Sequence, residues 1–379
     1  MTQIIEKNLD LTIKNWLEKL DLDENLDTES ALQIVLNILE YGDFQQRWDV
    51  TKIIPKLGVK VVDPLIKIVE DQEEDEQKRW FAIKSLAHFP QADVIFTLVN
   101  LLNTTEDEDL AEIASNTLAN LGEKAITSLS VLLENSETRL FAVQALAKIP
   151  HPSIITPLLT VVNDDHVEIR AMAISTLAGF SDERICPILV NALQDKASKV
   201  RKEAIMGLSL KLNQLAHLNF VELLKPYLND INLEVCQQAA IALSRLADKE
   251  ATEALGEVLL LPTTPLPLAI TIIKAYSWIQ TRETLLYLEK ALYSLDFPLI
   301  IEIIKVFGRI ENLKPQATEI LLTWYNSRSS LSSSSTVKKE LAYTLGQLHS
   351  QESRDLLETF TKDQDETVKF QARSSLNKL

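Results

Sequence analysis

The groups in this 379-residue chain whose types could do chemistry are five histidines, two cysteines and a recurrent column of basic residues. His88, His151, His166, His217 and His349 stand far apart, and no two have metal-ligand spacing. Cys186 and Cys236 are too few for a disulfide framework or a cysteine-rich metal site. Both fall in apolar helical segments of neighbouring repeats, where a thiol is expected to pack inertly. A nucleophilic serine or cysteine needs a strained elbow and a base. No Gly-x-Ser-x-Gly occurs, and eight glycines scattered singly make no phosphate-cradling loop. No catalytic or metal-binding residue is assigned, and a non-catalytic chain without a cofactor is expected.

The elements that would position any site come from an internal repeat. RWFAIKSLAHF at 79–89, RLFAVQALAKI at 139–149, IRAMAISTLAGF at 169–180 and VRKEAIMGLSLKL at 200–212 share one pattern of small residues and leucines. Its first small position, the anchor, falls at Val50, Ala82, Ala114, Ala142, Ala173, Ala204, Ala239, Ile272, Ile303, Leu341 and Ala372. The intervals are mostly 31 to 33 residues, a period that signals stacked repeats. Four positions after the anchor every residue is apolar, so anchor and anchor-plus-four share one face of an amphipathic helix. Between anchored segments lie second apolar helices such as DVIFTLVNLLN at 93–103 and SIITPLLTVVND at 153–164. Two helices per repeat predict an all-α fold: an α-solenoid, or superhelix, of about eleven helix pairs.

A recurring Asp–turn–Val/Ile-Arg–x–x–Ala pattern occurs in Asp164…Ile169-Arg170…Ala173 and Asp195…Val200-Arg201…Ala204, with Lys in Asp363…Val368-Lys369…Ala372. It resembles HEAT repeats, specifically the short type of the phycobilin-lyase-like (PBS lyase HEAT-like, E/F-type) family, over about residues 30–379. The resemblance implies a right-handed solenoid whose anchored helices line a concave face. It also implies an inter-repeat ladder. Arg47, Arg79, Arg139, Arg170 and Arg201, with Lys338 and Lys369, would each reach an aspartate of a preceding turn, such as Asp43, Asp75, Asp164, Asp165 or Asp195. The other reading of that column is a basic strip gripping an acidic partner. Di-iron hydroxylases built on similar repeats carry His-Glu pairs, and no histidine here precedes a glutamate.

Positions one and two before the anchor are then expected to face the groove. In the early repeats they include Trp48, Trp80, Phe81, Phe141 and Met172; further on they turn polar, as in Lys202 and Glu203 or Gln237 and Gln238. Such an aromatic-to-polar change marks a localised binding surface; the competing expectation is that these side chains fill the core. Acidic runs at 70–76 and 106–109 are read as solvated turns, or as an electrostatic rim.

A net charge of −16 excludes a general nucleic-acid coat, which needs clustered Lys and Arg. No apolar run approaches the roughly eighteen residues of a membrane span, and MTQIIEKNLD lacks the basic start of a signal peptide. A cytoplasmic protein is expected. Residues 1–30 are read as capping helices, 31–260 as repeats bearing the groove, and 261–379 as C-terminal repeats. The last region holds a proline-rich break at 261–267 and a serine-rich loop at 326–337. Oligomeric state is left open. The expected role is a scaffold for a protein partner. The alternative implied by the resemblance is a phycobilin lyase or bilin chaperone, holding an open-chain tetrapyrrole in the groove with Arg47, Arg79 or Lys84 on its propionates.

Overall fold

The computed structural model describes residues 28–212, 219–327 and 334–379. The proposed N-terminal capping segment up to residue 27, His217 and the middle of the serine-rich stretch lie outside the described residues. Twenty-two α-helices are described, and the fold is all-α. Eleven carry the anchors: α2 (Phe44–Thr51), α4 (Glu76–Ser85), α6 (Glu108–Asn120), α8 (Arg139–Ala147), α10 (Val167–Ala178), α12 (Ser198–Ser209), α14 (Leu233–Ser244), α16 (Leu266–Ile279), α18 (Phe297–Phe307), α20 (Ser335–Leu348) and α22 (Glu366–Leu376). Their partners are α1 (Thr28–Tyr41), α3 (Val62–Glu70), α5 (Ala92–Thr104), α7 (Ile126–Leu132), α9 (Ile155–Leu159), α11 (Ile185–Ala192), α13 (Phe220–Leu224), α15 (Lys249–Leu259), α17 (Arg282–Ser294), α19 (Lys314–Ser327) and α21 (Arg354–Phe360).

Two compact units result, one ending at Phe180 and the other beginning at Ser181. In the first, α2, α4, α6, α8 and α10 pack in sequence, each on the next; in the second, α12 through α22 do the same with even numbers. The odd helices form a parallel layer, α3 on α5 on α7 and α13 on α15 on α17 on α19. Each unit is a stack in which a repeat buries its apolar face against its neighbours. All eleven anchors are fully buried, as are ten of the residues four positions later. Leu376, in the last helix, is half-buried.

The small residue five after the anchor lets even helices approach closely. In α20 it is Gly346, where an added Cβ would come 2.6 Å from the Ser375 Cβ and 3.0 Å from the Ser375 Cα on α22. Gly346→Ala is therefore expected to push the two helices apart at a cost of about 1–3 kcal/mol. Chemical denaturation measures it, and Ser375→Gly in the same chain should recover part of the loss.

The basic column forms a ladder, but with the opposite sense to the one expected. Backward, each arginine takes main-chain carbonyls left without partners where the preceding helix ends. Arg47 reaches the Glu40 carbonyl at 3.1 Å, Arg79 that of Val69 at 3.0 Å, and Arg201 those of Asp195 and Lys196 at 2.8 and 3.1 Å. Arg170 likewise holds the carbonyls of Asp164 and Asp165. The carboxylate partners lie in the following repeat: Arg47–Asp75 at 2.9 Å, Arg139–Asp164 at 2.6 Å, Arg201–Asp230 at 2.7 Å and Lys338–Asp363 at 2.6 Å. The reason is that the nearer aspartate caps its own helix or turn. Asp43 accepts the Gln46 N–H and Asp75 the Lys78 N–H, and the Asp75 carboxylate at the same time meets Arg47 of the repeat before it. Lys369 departs from the pattern and pairs with Glu366 inside α22.

The proline-rich stretch is a connection rather than a gap. Pro265 stands at the N-cap of α16 and Pro267 in its first turn, where the missing N–H costs nothing. Asn326 and Ser327 of the serine-rich stretch still belong to α19, and Ser335 opens α20.

Candidate functional site

In the first unit, Asp43 and Gln46 form a reciprocal capping box that starts α2 and sets the direction of Trp48 one turn on. Asp75 caps α4 by accepting the Lys78 N–H, without the reciprocal bond, one turn before Trp80. Its carboxyl is held below the ordinary aspartate value, chiefly by the Lys78 N–H, with Arg47 adding to it against the cost of burial. Asp107 caps α6, accepting the Asp109 and Leu110 N–H groups at 2.8 and 3.0 Å. Parts of both acidic runs are thus structural.

Between α2 and α4 these caps assemble an aromatic cluster. Phe44 stacks on Trp48 with centroids 6.2 Å apart, and meets Phe81 edge-on at 5.3 Å; Trp80 meets Phe81 edge-on at 5.0 Å. The Lys84 ammonium lies 4.5 Å from the Trp48 ring centroid and 5.3 Å from that of Trp80. Two indole faces therefore share one cation, each contact worth about 0.5–1 kcal/mol at a half-exposed site. Trp48, Trp80 and Lys84 are half-buried, and Phe44 is 55% exposed. Phe81 is a correction: at 0% exposure it is the floor of the cluster and cannot touch a partner. Phe141 and Met172 are half-buried on α8 and α10, further along the stack. Phe44 was not expected from the sequence. Its signal was an aromatic directly after a capping aspartate, one turn before Trp48.

Beside the cluster, across α4 and α6, lies a cavity of about 520 Å3 bordered by Lys84, His88, Asn116 and Asn120, with Thr51 and Thr117 at its base. Both threonine hydroxyls donate to main-chain carbonyls, those of Trp48 at 2.7 Å and Ile83 at 3.3 Å. Arg47 and Arg79, expected as candidates for a tetrapyrrole's propionates, are buried in the ladder. Of the three cations named for that role, only Lys84 faces this surface.

The second unit treats the equivalent positions differently. Lys202 pairs with Glu234 at 2.7 Å, and Gln237 with Thr271 at 3.0 Å, each on the next even helix. Trp278 on α16, six after its anchor, is 65% exposed. On the odd-helix side a mainly apolar cleft of about 1110 Å3 opens between α11 and the short α13, lined by Cys186, Pro187, Val190, Leu223, Pro226 and Tyr227 among others. The sequence sign of it was a proline in each of two short odd helical segments. Asp182, at its edge, is lowered to about 2, first by the Arg184 side chain and then by the Arg184 N–H. No His, Lys or Arg lines the cleft beside Cys186; its titratable lining is otherwise Asp182, Glu183, Glu222 and Tyr227. Cys236 is buried, donates to the Asp230 carbonyl at 3.1 Å, and is pushed up by burial. Among the described residues no group of three or more His, Cys, Asp or Glu is placed to hold a metal, and no helix is long and apolar enough to cross a membrane.

Comparison with known proteins agrees with this stacking. The family model for HEAT repeats matches residues 129–209, which takes in the end of α7 and all of α8 through α12. In that stretch the chain carries HEAT repeats. Importin beta aligns over 92% of this chain at 13% identity with a TM-score of 0.60, and a Kap121p mutant over 94% at 13% identity with a TM-score of 0.59. The alignments cover 55% and 46% of those chains, so this chain spans about half the length of each. At that identity they show the fold alone. No curated protein matches the sequence. The all-α stack described above agrees with the HEAT-repeat match.

Proposed function

We propose that this HEAT-repeat chain is a non-catalytic scaffold that docks a protein partner on the even-helix face of its first unit, with Phe44, Trp48 and Trp80 as the apolar anchors. The observation that carries the reading is the Trp48–Lys84–Trp80 arrangement: two half-exposed indoles, preset by helix caps, around a cation that forms no ion pair among the described residues. Large amphipathic rings are the commonest energetic centres of protein interfaces. The matching positions of the second unit, Lys202 and Gln237, are already engaged by Glu234 and Thr271 of the next even helix, which leaves less to offer a partner.

Affinity capture from native extract, with the wild type beside the Trp48→Ala/Trp80→Ala chain, tests it. Each truncation at an interface centre costs about 2 kcal/mol, or about 30-fold in affinity. The expected result is a polypeptide retained by the wild type and lost by a variant of unchanged helical content. A variant that unfolds would make both residues core, and equal capture would place the site elsewhere. The finer reading as a bilin lyase or bilin chaperone has one of its three cations left on this face. A coloured tetrapyrrole bound to the bait, in place of a polypeptide, would restore it.

A further inference from the structure

We infer that the docking face of the first unit is an acidic-peptide site, in which Lys84, His88, Asn116 and Lys148 receive carboxylates of the partner. The inference rests on the docking reading above and names the partner's chemistry. In a chain of net charge −16, acids are expected on every surface. Yet no carboxylate lines the cavity beside Trp48 and Trp80. The pattern extends along the stack. At two and six positions after the anchor, on or just past α2, α4, α6 and α8, stand Lys52 and Lys56, Lys84 and His88, Asn116 and Asn120, Gln144 and Lys148. These places are neighbours on one helix face, and none of the eight is an acid.

The donors are also oriented. Lys148 donates to the Asn116 side-chain carbonyl, so the Asn116 NH2 group remains as a donor. Thr51 and Thr117 spend their protons on main-chain carbonyls. Lys84 and Lys148 form no ion pair among the described residues, whereas Lys52 is already neutralised by Asp49 at 2.7 Å. Exposed Glu112 on α6 stands two before its anchor, in the register of Trp48 and Trp80, and does not line the cavity. Held by two ring faces, the Lys84 charge is positioned without being cancelled, which leaves it for an incoming anion.

Spacing favours a peptide over a single small anion. Packed helices lie about 8–10 Å apart, and an extended polyproline-type segment advances about 9 Å every three residues. An acidic residue at every third place would meet successive rows, with an apolar neighbour on Phe44 and Trp48.

The test is fluorescence anisotropy with three labelled probes: a proline-containing peptide with glutamate at every third position, its lysine counterpart, and duplex DNA. The glutamate peptide should bind the wild type, and the lysine peptide and DNA should not. Lys84→Gln with Lys148→Gln should weaken binding at least about tenfold, as loss of a charge-assisted hydrogen bond does, while Lys84→Arg retains it. Unchanged melting of the double variant shows that folding is intact. Failure of the glutamate peptide, or its indifference to the double substitution, overturns the inference. Tighter binding of the lysine peptide, lost in Trp48→Ala/Trp80→Ala, overturns it too but leaves the docking face standing. DNA binding lost in Lys84→Gln/Lys148→Gln would replace peptide by nucleic acid. The docking reading itself falls only by the capture experiment.

Discussion

Arg201→Ala is expected to destabilise the second unit by about 3–5 kcal/mol, the cost of leaving a buried carboxylate without its cation. The Arg201 and Asp230 side chains are 11% and 8% exposed and joined by two hydrogen bonds of 2.8 and 2.7 Å. The same guanidinium closes the carbonyls of Asp195 and Lys196, so its removal also strands main-chain acceptors. Because repeats are coupled only to their neighbours, the loss falls on the interface between α12 and α14. Denaturation followed by circular dichroism should therefore show a broadened or split transition. A single transition at the wild-type midpoint would contradict this account of the ladder.

The pair also sets an acid response. Burial raises Asp230, but the Arg201 hydrogen bonds and the Asn232 N–H outweigh it and hold the carboxyl below 3.8. Asp164 is lowered against burial by the His166 N–H and by Arg139, and Asp363 by the Asp365 N–H and Lys338. A folded value below the unfolded one gives stability that is complete above the unfolded value and lost as pH falls through the folded value. Wild-type stability should thus be flat near neutrality and drop below about pH 4. In Arg201→Ala the unpaired Asp230 favours protonation, so this variant should lose less on acidification, and Asp230→Asn should partly rescue it at neutral pH.

Trp324→Ala should cost about 3–5 kcal/mol. Trp324 on α19 is fully buried, and its Nε1–H donates to the Leu292 carbonyl at 3.1 Å. Leu292 lies in the last turn of α17, where carbonyls have no partner within the helix. The truncation would open a cavity between successive odd helices and leave that carbonyl dry. Trp324→Phe keeps most of the volume and should lose only the hydrogen-bond part, about 1–3 kcal/mol. Equal losses for the two would mean that packing does not matter at this position. Trp48→Ala and Trp80→Ala are expected to cost far less stability, since both rings reach solvent.

That contrast marks how far periodicity carries. A residue's offset from the anchor was enough to identify the core line: all eleven anchors are fully buried, because a helix of a stack must turn one face to its neighbours whatever its other side does. Phe81 shows where offset fails. Placed one before the anchor, it was expected to face the groove, but α4 packs against α2, α3 and α6, so its apolar arc is wider than one stripe. The partner of each arginine was legible only as to type. Main-chain capping uses the nearer aspartate, and which carboxylate remains in reach depends on how the next turn lies. The placing of Lys84 between two indoles, from helices 32 residues apart, has no local signature at all.

What the amino-acid order determined by itself is the repeat, its period, the all-α class and the buried anchor line, since these follow from helical periodicity and the size of side chains. What only the tertiary structure decided is direction and company: which way each arginine reaches, which aromatic is floor and which is surface, and that donors from α4, α6 and α8 meet beside a cavity that no carboxylate lines. Those depend on distances between helices, and such distances are set by packing of the whole stack rather than by any one repeat.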